Sequence, residues 1–454
     1  MKIDVLVAEI GSTTTVVNAF DGIRTGEPRF IGQGKSWTTV HEGDVIIGLE
    51  RAAEDLKRNL GIADFTWDEM LATSSAAGGL RMSVHGLVYD MTVRAAREAA
   101  LGAGAIIKLV TAGKLKRTDL AQVRSLRPNI ILVAGGVDYG ERDTALFNFE
   151  LLAKECGGIP MIYAGNIQNR EEIALLASEL GVRVYITDNV YPGVDMLNVE
   201  PARKIIHNAF EEHIVHAPGM EKMRTLVDGP VIPTPGAVML SAKLLYEAIG
   251  DLVVFDVGGA TTDVHSVTEG SGSISSIMSS PEPVAKRTVE GDLGVYVNIA
   301  HVAEKIGMES LQREFPDAER LMREAKPIPE SPLEVRFVER MTLACVKTAL
   351  ERHAGTLKDL YGPTGKITIA EGKDLTAVKT IIGTGGALTR LPEGLQILKQ
   401  ACGVRDSRAL FPKPSAEILI DRQYIMASLG VLSLRYKDAA VALLKKSLGI
   451  GVAS

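Results

Sequence analysis

Twice in this sequence an apolar strand ends in a carboxylate, turns through glycine and hydroxyl residues, and returns as a second strand. The first instance runs from Lys2–Ala8 through Glu9-Ile10-Gly11-Ser12-Thr13-Thr14-Thr15 into Thr15–Phe20. The second runs from Val253–Asp256 through Asp256-Val257-Gly258-Gly259-Ala260-Thr261-Thr262-Asp263 into Asp263–Val267. It is a repeat of architecture more than of residues, and it points to a chain of two lobes with similar openings.

Each turn has the makings of a phosphate loop. Gly11, Gly258 and Gly259 carry no Cβ, so backbone can come close to a ligand. Ser12, Thr13, Thr14, Thr261 and Thr262 bring hydroxyl donors, and Ala260 keeps the second tip small. Either turn alone is also what a plain β-hairpin looks like, because threonine is common in strands. Two of them are harder to dismiss: phosphoryl transfer needs donors around phosphates and acids that place Mg²⁺ and water. Glu9 and Asp256 are the candidate acids, each acting on the metal through water. A third segment, Gly383-Thr384-Gly385-Gly386-Ala387-Leu388, follows the strand Lys379–Ile382. Bare backbone there would accept a flat base or ribose, although such turns also close ordinary α/β crossovers.

Between these sites, short apolar strands alternate with helical stretches, the α/β signature. Val45–Leu60 and Thr92–Ile107 read as helices. Ile130–Ala134, Met161–Ala164 and Val182–Thr187 read as parallel strands joined by helices Thr144–Cys156 and Arg170–Leu180. Later helices are expected at Gly294–Ile306, Val338–His353, Gln423–Arg435 and Asp438–Lys446, with Glu309–Pro332 an exposed connection. The expected organisation is 1–80 as the first part of the N-terminal lobe, 81–215 as an inserted α/β subdomain, and 216–250 as the return. Then come 251–420 as the C-terminal lobe and 421–454 as closing helices.

The order of phosphate-one, phosphate-two and glycine-turn motifs resembles that of the actin/sugar-kinase/chaperone ATPase superfamily. Pro233-Thr234-Pro235-Gly236-Ala237-Val238 and Asp421–Gly430 stand where that superfamily keeps its two connecting helices. The segments EIGSTTT, SSAAGGLRMSVHGL, ILVAGGVDYGERD, LNVEPAR, PTPGAV, RTVEGDLG and RHAG resemble, over nearly the whole chain, the GlmL family. That family, also called MutL, accompanies glutamate (methylaspartate) mutase and is unrelated to the mismatch-repair protein of the same name. The resemblance implies a two-lobed actin-like fold of duplicated ribonuclease-H-like domains, with ATP and Mg²⁺ as cofactors. It further implies a cytoplasmic, chaperone-like reactivase whose ATP hydrolysis drives exchange of damaged cobalamin in an adenosylcobalamin-dependent mutase or aminomutase. One residue departs from the superfamily pattern: Glu9 stands where aspartate is usual, which makes Asp256 the firmer metal-site acid.

Composition narrows the alternatives. With 454 residues the chain expects two to three domains. A net charge of −6 and the lack of a dense Lys/Arg run disfavour nucleic acid and anionic membranes as partners. The opening residues carry acids where a signal peptide needs an apolar run, and no stretch is long and apolar enough for a membrane span. The 3 cysteines, Cys156, Cys345 and Cys402, form no CxxC pair and suit a reducing compartment. A homo-oligomer stays open. So do a small-molecule kinase and a filament-forming protein on the same fold, while an iron–sulfur activator would need a cysteine pair.

Other candidates are weaker. Ala134–Gly140 reads as an anion loop, a crossover turn or a partner contact, with Asn166 and Asp188-Asn189 on the same edge. Glu290 and Asp292, on a segment expected to enter a helix, read as cleft acids or caps, and Lys347, Arg352 and His353 as adenine contacts or a solvated face. His85, His207, His213 and His216 lie in no Asp-x-His-x-x-Gly arrangement and read as solvated or capping residues, so cobalamin would be met through the partner.

Overall fold

The opening strand is buried on both faces and therefore needs cover on both. In the computed structural model, which describes residues 1–39, 42–75, 80–215, 220, 222–362, 365–403 and 406–451, it receives that cover from two different cores. Strand β1 (Lys2–Ile10) pairs antiparallel with β2 (Thr14–Asp21), which pairs with β3 (Arg29–Trp37), while β4 (Thr66–Ser74) lies parallel on its other side. Leu6, Ala8 and Ile10 pack with Val45, Leu49, Ala52 and Leu56 of helix Val45–Leu60. That helix starts on Asp44, whose carboxylate accepts from the Ile46 amide at 2.9 Å, and stops at Gly61 in the left-handed conformation. Val5 and Val7 enter a different core, shared with the second lobe.

The chain then leaves this sheet for a parallel one. Strands β5 (Arg81–Gly86), β6 (Ile106–Ala112), β7 (Ile130–Val133), β8 (Met161–Tyr163) and β9 (Val184–Ile186) form it in the order β6-β5-β7-β8-β9. One of these strands escapes the apolar pattern. β5 carries Ser83 and His85, whose polar atoms satisfy one another and Thr111: His85 Nε2 lies 3.0 Å from Ser83 Oγ and Nδ1 lies 2.8 Å from Thr111 Oγ1. The helix expected over Thr92–Ile107 is correspondingly shorter, a π-turn at Tyr89–Val93 and a helix at Arg94–Gly102, because its last residues belong to β6. Helix Glu200–Val215 and the short strand β10 (Val231–Pro233) return the chain to the first sheet beside β4.

The second lobe repeats the first. Strands β11 (Leu252–Val257), β12 (Thr262–Val267) and β13 (Ala285–Glu290) form an antiparallel meander. A separate hairpin, β14 (Thr356–Gly362) and β15 (Gly365–Glu371), follows, and β16 (Thr380–Thr384) and β17 (Glu417–Ile420) complete the sheet in parallel. The orders β13-β12-β11-β16-β17 and β3-β2-β1-β4-β10 are the same, so the chain is a two-lobed, actin-like α/β protein of duplicated domains. The packing is duplicated too. Val253, Phe255 and Val257 face helix Pro332–His353, whereas Leu252 and Val254 join Val5 and Val7 in the core between the sheets. Helices Thr234–Ile249 and Met426–Leu432 cross in that central core, where a Cβ on Gly430 would sit 1.9 Å from the Ala237 carbonyl oxygen.

Three further expectations change. The Glu309–Pro332 connection contains helices Met308–Glu314 and Ala318–Arg323, which bury Leu311, Ala318 and Leu321 in the second core. The segment RTVEGDLG does not enter a helix: its first half is the end of β13 and helix Ile299–Ile306 begins later. Helix Pro332–His353 starts earlier than expected because Ser331 and Glu334 form a capping box and Pro332 suits the first turn.

Candidate functional site

The two hairpins are equivalent in register as well as in residue type. Ile10 pairs with Thr15 and Val257 with Thr262, and each turn is closed by a glycine amide, Gly11 to Thr14 and Gly258 to Thr261, both at 2.9 Å. A Cβ on Gly11 would lie 2.7 Å from the Thr14 carbonyl oxygen, so this turn requires glycine. The tips face each other: a Cβ on Gly259 would lie 3.8 Å from Thr13 Oγ1. Between them is a cleft of about 490 Å³ lined by Glu9, Gly11, Ser12, Thr13 and Thr14 from one side and Asp256, Gly258, Gly259, Ala260, Thr261 and Asp263 from the other.

The two strand-end acids have different surroundings. Glu9 Oε1 accepts from the Ser428 amide at 2.9 Å, the Ser428 hydroxyl, and Asn18 Nδ2 at 3.2 Å. Ser428 belongs to helix Met426–Leu432, so these bonds tie the first hairpin to the second connecting helix. Asp256 has no hydrogen bond to its carboxylate among the described residues. Burial, followed by the charges of Asp263 and Glu9, pushes it up to about 7, against the opposing pull of Arg287. Burial likewise raises Glu9 to about 7, with Asp421 adding to the effect and the Ser428 and Asn18 bonds resisting it. Two carboxylates facing one cleft, each costly to ionise, form a site that a cation would relieve.

Asp263 is held differently again. Arg287 Nε and Nη2 reach its Oδ1 at 3.1 and 2.7 Å, and both side chains are buried. Asp421, which the sequence marked only as the head of a connecting segment, accepts from Thr384 Oγ1 at 3.1 Å, from the Ile425 and Met426 amides at 2.9 Å, and from Ser447 Oγ at 2.6 Å. Burial raises its acid despite these donors. It caps the helix that carries Ser428.

Not every residue named from the sequence reaches the cleft. Thr262 turns inward and donates to the Leu293 carbonyl at 2.7 Å. Gly383 and Thr384 lie inside β16, with Gly383 against Leu398 and Ile420, and neither lines the cavity. Gly385 also lies behind it: at φ +83° a Cβ would meet Asp256 Oδ1 at 2.5 Å, so this glycine lets β16 pack against the acid-bearing strand. Gly386 does line the cleft, with Ala387, Arg390 and Leu391. None of Lys347, Arg352 and His353 lines the cleft. His353 is buried between Ser266 Oγ and Thr288 Oγ1, and Arg352 pairs with Glu290 and Asp292, an acid held down to about 2 by that partner. The apolar wall of the cleft comes instead from Pro327, Ile328, Pro329, Val335 and Val338, in and just after the supposed surface connection.

Two residues of the wall were invisible without register. Gln33 on β3 donates to Asn18 Oδ1 at 2.7 Å and to the Tyr424 carbonyl at 3.3 Å, and accepts from Arg390, which lies 5.6 Å from the Tyr424 ring centre. The loop Ala134–Gly140 lies on the parallel sheet instead, braced by Asn166 and Asn189: Asn189 Nδ2 donates to the Gly136 carbonyl and Asp138 Oδ1, both at 3.0 Å. Glu141 accepts from the Thr144 amide at 2.8 Å, so a carboxylate already fills the adjoining helix start. His216 and residues 76–79 of the SSAAGG segment lie outside the described residues, as do the side chains of His207 and His213.

The family model described as "MutL protein" matches residues 5–448. Protein MutL of Clostridium tetanomorphum is 36% identical over 460 residues, covering 98% of each chain. The chain belongs to the MutL protein family. Among solved structures, a diol dehydratase-reactivating factor in nucleotide-free form is 12% identical at a TM-score of 0.36, covering 96% of this chain and 100% of its own. Component A of (R)-2-hydroxyglutaryl-CoA dehydratase from Acidaminococcus fermentans is 11% identical at 0.29, with 96% and 99% covered. The fold of this MutL-family chain rests on its own strand order and takes nothing from those scores.

The residues fit a magnesium ion brought in with phosphates. Among the described residues no group of three His, Cys, Asp or Glu side chains could hold a metal alone. Mg²⁺ is ordinarily bound by one or two carboxylates with substrate phosphates and water completing its shell, and Glu9 and Asp256 supply that number.

Proposed function

We propose that this MutL-family chain binds and hydrolyses ATP–Mg²⁺ in the cleft between its two hairpins and serves as a reactivase-like accessory of an adenosylcobalamin-dependent mutase. One observation carries the nucleotide reading: two register-equivalent hairpins bring Glu9 and Asp256 to one cleft, and both acids are raised to about 7. Magnesium ATP supplies a transferable phosphoryl group and the cation that these acids lack. Around it, the amides of Ser12, Thr13, Gly259 and Ala260 and the hydroxyls of Ser12–Thr14 and Thr261 hold phosphate oxygens. Asp256, which has no hydrogen-bond donor among the described residues, orients water on the metal side, and Glu9 adds its charge from the first lobe. Pro327–Pro329, Val338 and Leu391 form the apolar walls for the base.

In this reading residues 1–80 and 216–250 make the N-terminal lobe, 81–215 the inserted subdomain, and 251–420 the C-terminal lobe. Residues 421–454 carry the second connecting helix and the closing helix. Family membership and the motifs of the sequence support the mutase as partner. The buried free cysteines support a reducing, cytoplasmic setting. The test is ATP-dependent recovery of a cobalamin-inactivated glutamate mutase or aminomutase. Wild-type chain should restore turnover with ATP–Mg²⁺ and Asp256→Asn should not. Equal recovery with both proteins would remove the cleft from the function.

A further inference from the structure

Gln33 and Arg287 occupy the same place in their sheets. Gln33 pairs with Asn18 on the return strand of the first hairpin, and Arg287 pairs with His265 on that of the second. Each reaches beyond its own sheet, Gln33 to Arg390 and Arg287 to the Leu101 carbonyl at 3.0 Å. Leu101 is in the last turn of helix Arg94–Gly102, at the negative end of the helix, and its carbonyl also accepts from the Gly104 amide at 2.9 Å. One buried guanidinium, itself on the cleft wall, thus serves a carboxylate that lines the cleft and a helix end in the inserted subdomain.

The same helix is fixed to the second lobe at further points. Arg94 pairs with Glu282 and bonds Ser280, and Arg203 of helix Glu200–Val215 donates to the Ala285 carbonyl at 2.9 Å and the Glu98 carbonyl at 3.4 Å. In chain order these helices interrupt the first sheet, between β4 and β10. In space they clamp β13, the edge strand of the second.

We propose that Arg287 is a positioning residue that links the second phosphate hairpin to the inserted subdomain, so that the occupant of the cleft sets how helix Arg94–Gly102 docks on β13. This inference rests on the cleft accepting ATP–Mg²⁺. A cation arriving beside Asp256 and Asp263 competes with Arg287 for the Asp263 carboxylate. A buried arginine cannot be left half-paired without a large desolvation cost, so a weaker hold on Asp263 must be answered at Leu101. The neutral amide of Gln33 at the equivalent position has no such sensitivity.

Amide hydrogen exchange tests it on the full chain at nucleotide concentrations that saturate each protein. ATP–Mg²⁺ should change exchange over residues 94–102 by about ten-fold in the wild type. Arg287→Met should lose that response and lower kcat, and Arg287→Lys should recover part of both. A wild-type chain that binds ATP by calorimetry but shows no change over 94–102 overturns the link and leaves the nucleotide reading standing. So does an Arg287→Met chain that responds like wild type. Failure of the wild type to bind ATP overturns both. The wild-type comparison needs no substitution, so it decides even where Arg287→Met fails to fold.

Discussion

The two hairpins share a turn, a register and an acid at the strand end, yet their acids have different surroundings. Glu9 is bonded to Ser428 of helix Met426–Leu432 and braced by Asn18. Asp256 is one methylene shorter, makes no such bond, and sits between the charges of Asp263 and Glu9. The two frames are equivalent in register, and in the first the acid is tied to helix Met426–Leu432.

The largest effect should separate the acids by activity. Asp256→Asn is expected to cut ATP hydrolysis by about 10²–10³-fold while keeping a cooperative melt, and Glu9→Gln by only about ten-fold. Steady-state hydrolysis beside differential scanning calorimetry checks this, and the reverse order would break the comparison. Next comes the hinge that makes the hairpins face each other. Gly430→Ala drives a methyl to 1.9 Å from the Ala237 oxygen and should cost about 3 kcal/mol in urea denaturation. Gly386→Ala, with nothing within 4 Å, should be close to neutral.

A further effect follows from titration. Both acids rise on folding, Asp256 from 3.8 and Glu9 from 4.5 to about 7, so the folded chain holds more protons than the unfolded one in that window. Their contribution to stability is fully present below the ordinary carboxylate values and is lost as pH rises to about 7. Without nucleotide, stability should fall by on the order of 5 kcal/mol between about pH 5 and pH 8, and Asp256→Asn should roughly halve the slope. The smallest change sharpens the role of Glu9: Ser428→Ala should cost about 1 kcal/mol and leave Asp256-dependent turnover within about three-fold. A larger loss of turnover would make Glu9 a second chemical acid.

Much of this was legible from residue order. The helix at Val45–Leu60 and the two hairpins stand where periodicity and turn chemistry put them, whereas the helix expected over Gln423–Arg435 is confined to Met426–Leu432. The parallel sheet was only partly legible, because β5 satisfies Ser83 and His85 through a neighbouring strand that local pattern does not reveal. The apolar wall at Pro327–Pro329 was hidden for a related reason: charge and proline read as solvent exposure until helix Pro332–His353 places the segment over the cleft.

The sequence by itself determined that two acid-ended hairpins exist, since strand, glycine turn and return strand are local properties of a few residues. Which acid is held and which is left open was decided only by tertiary structure. That choice depends on Ser428, Asn18, Asp263 and Arg287, all brought to the hairpins by strand register or by the crossing of the connecting helices. Burial and neighbouring charge act through space, and chain order does not encode either one directly.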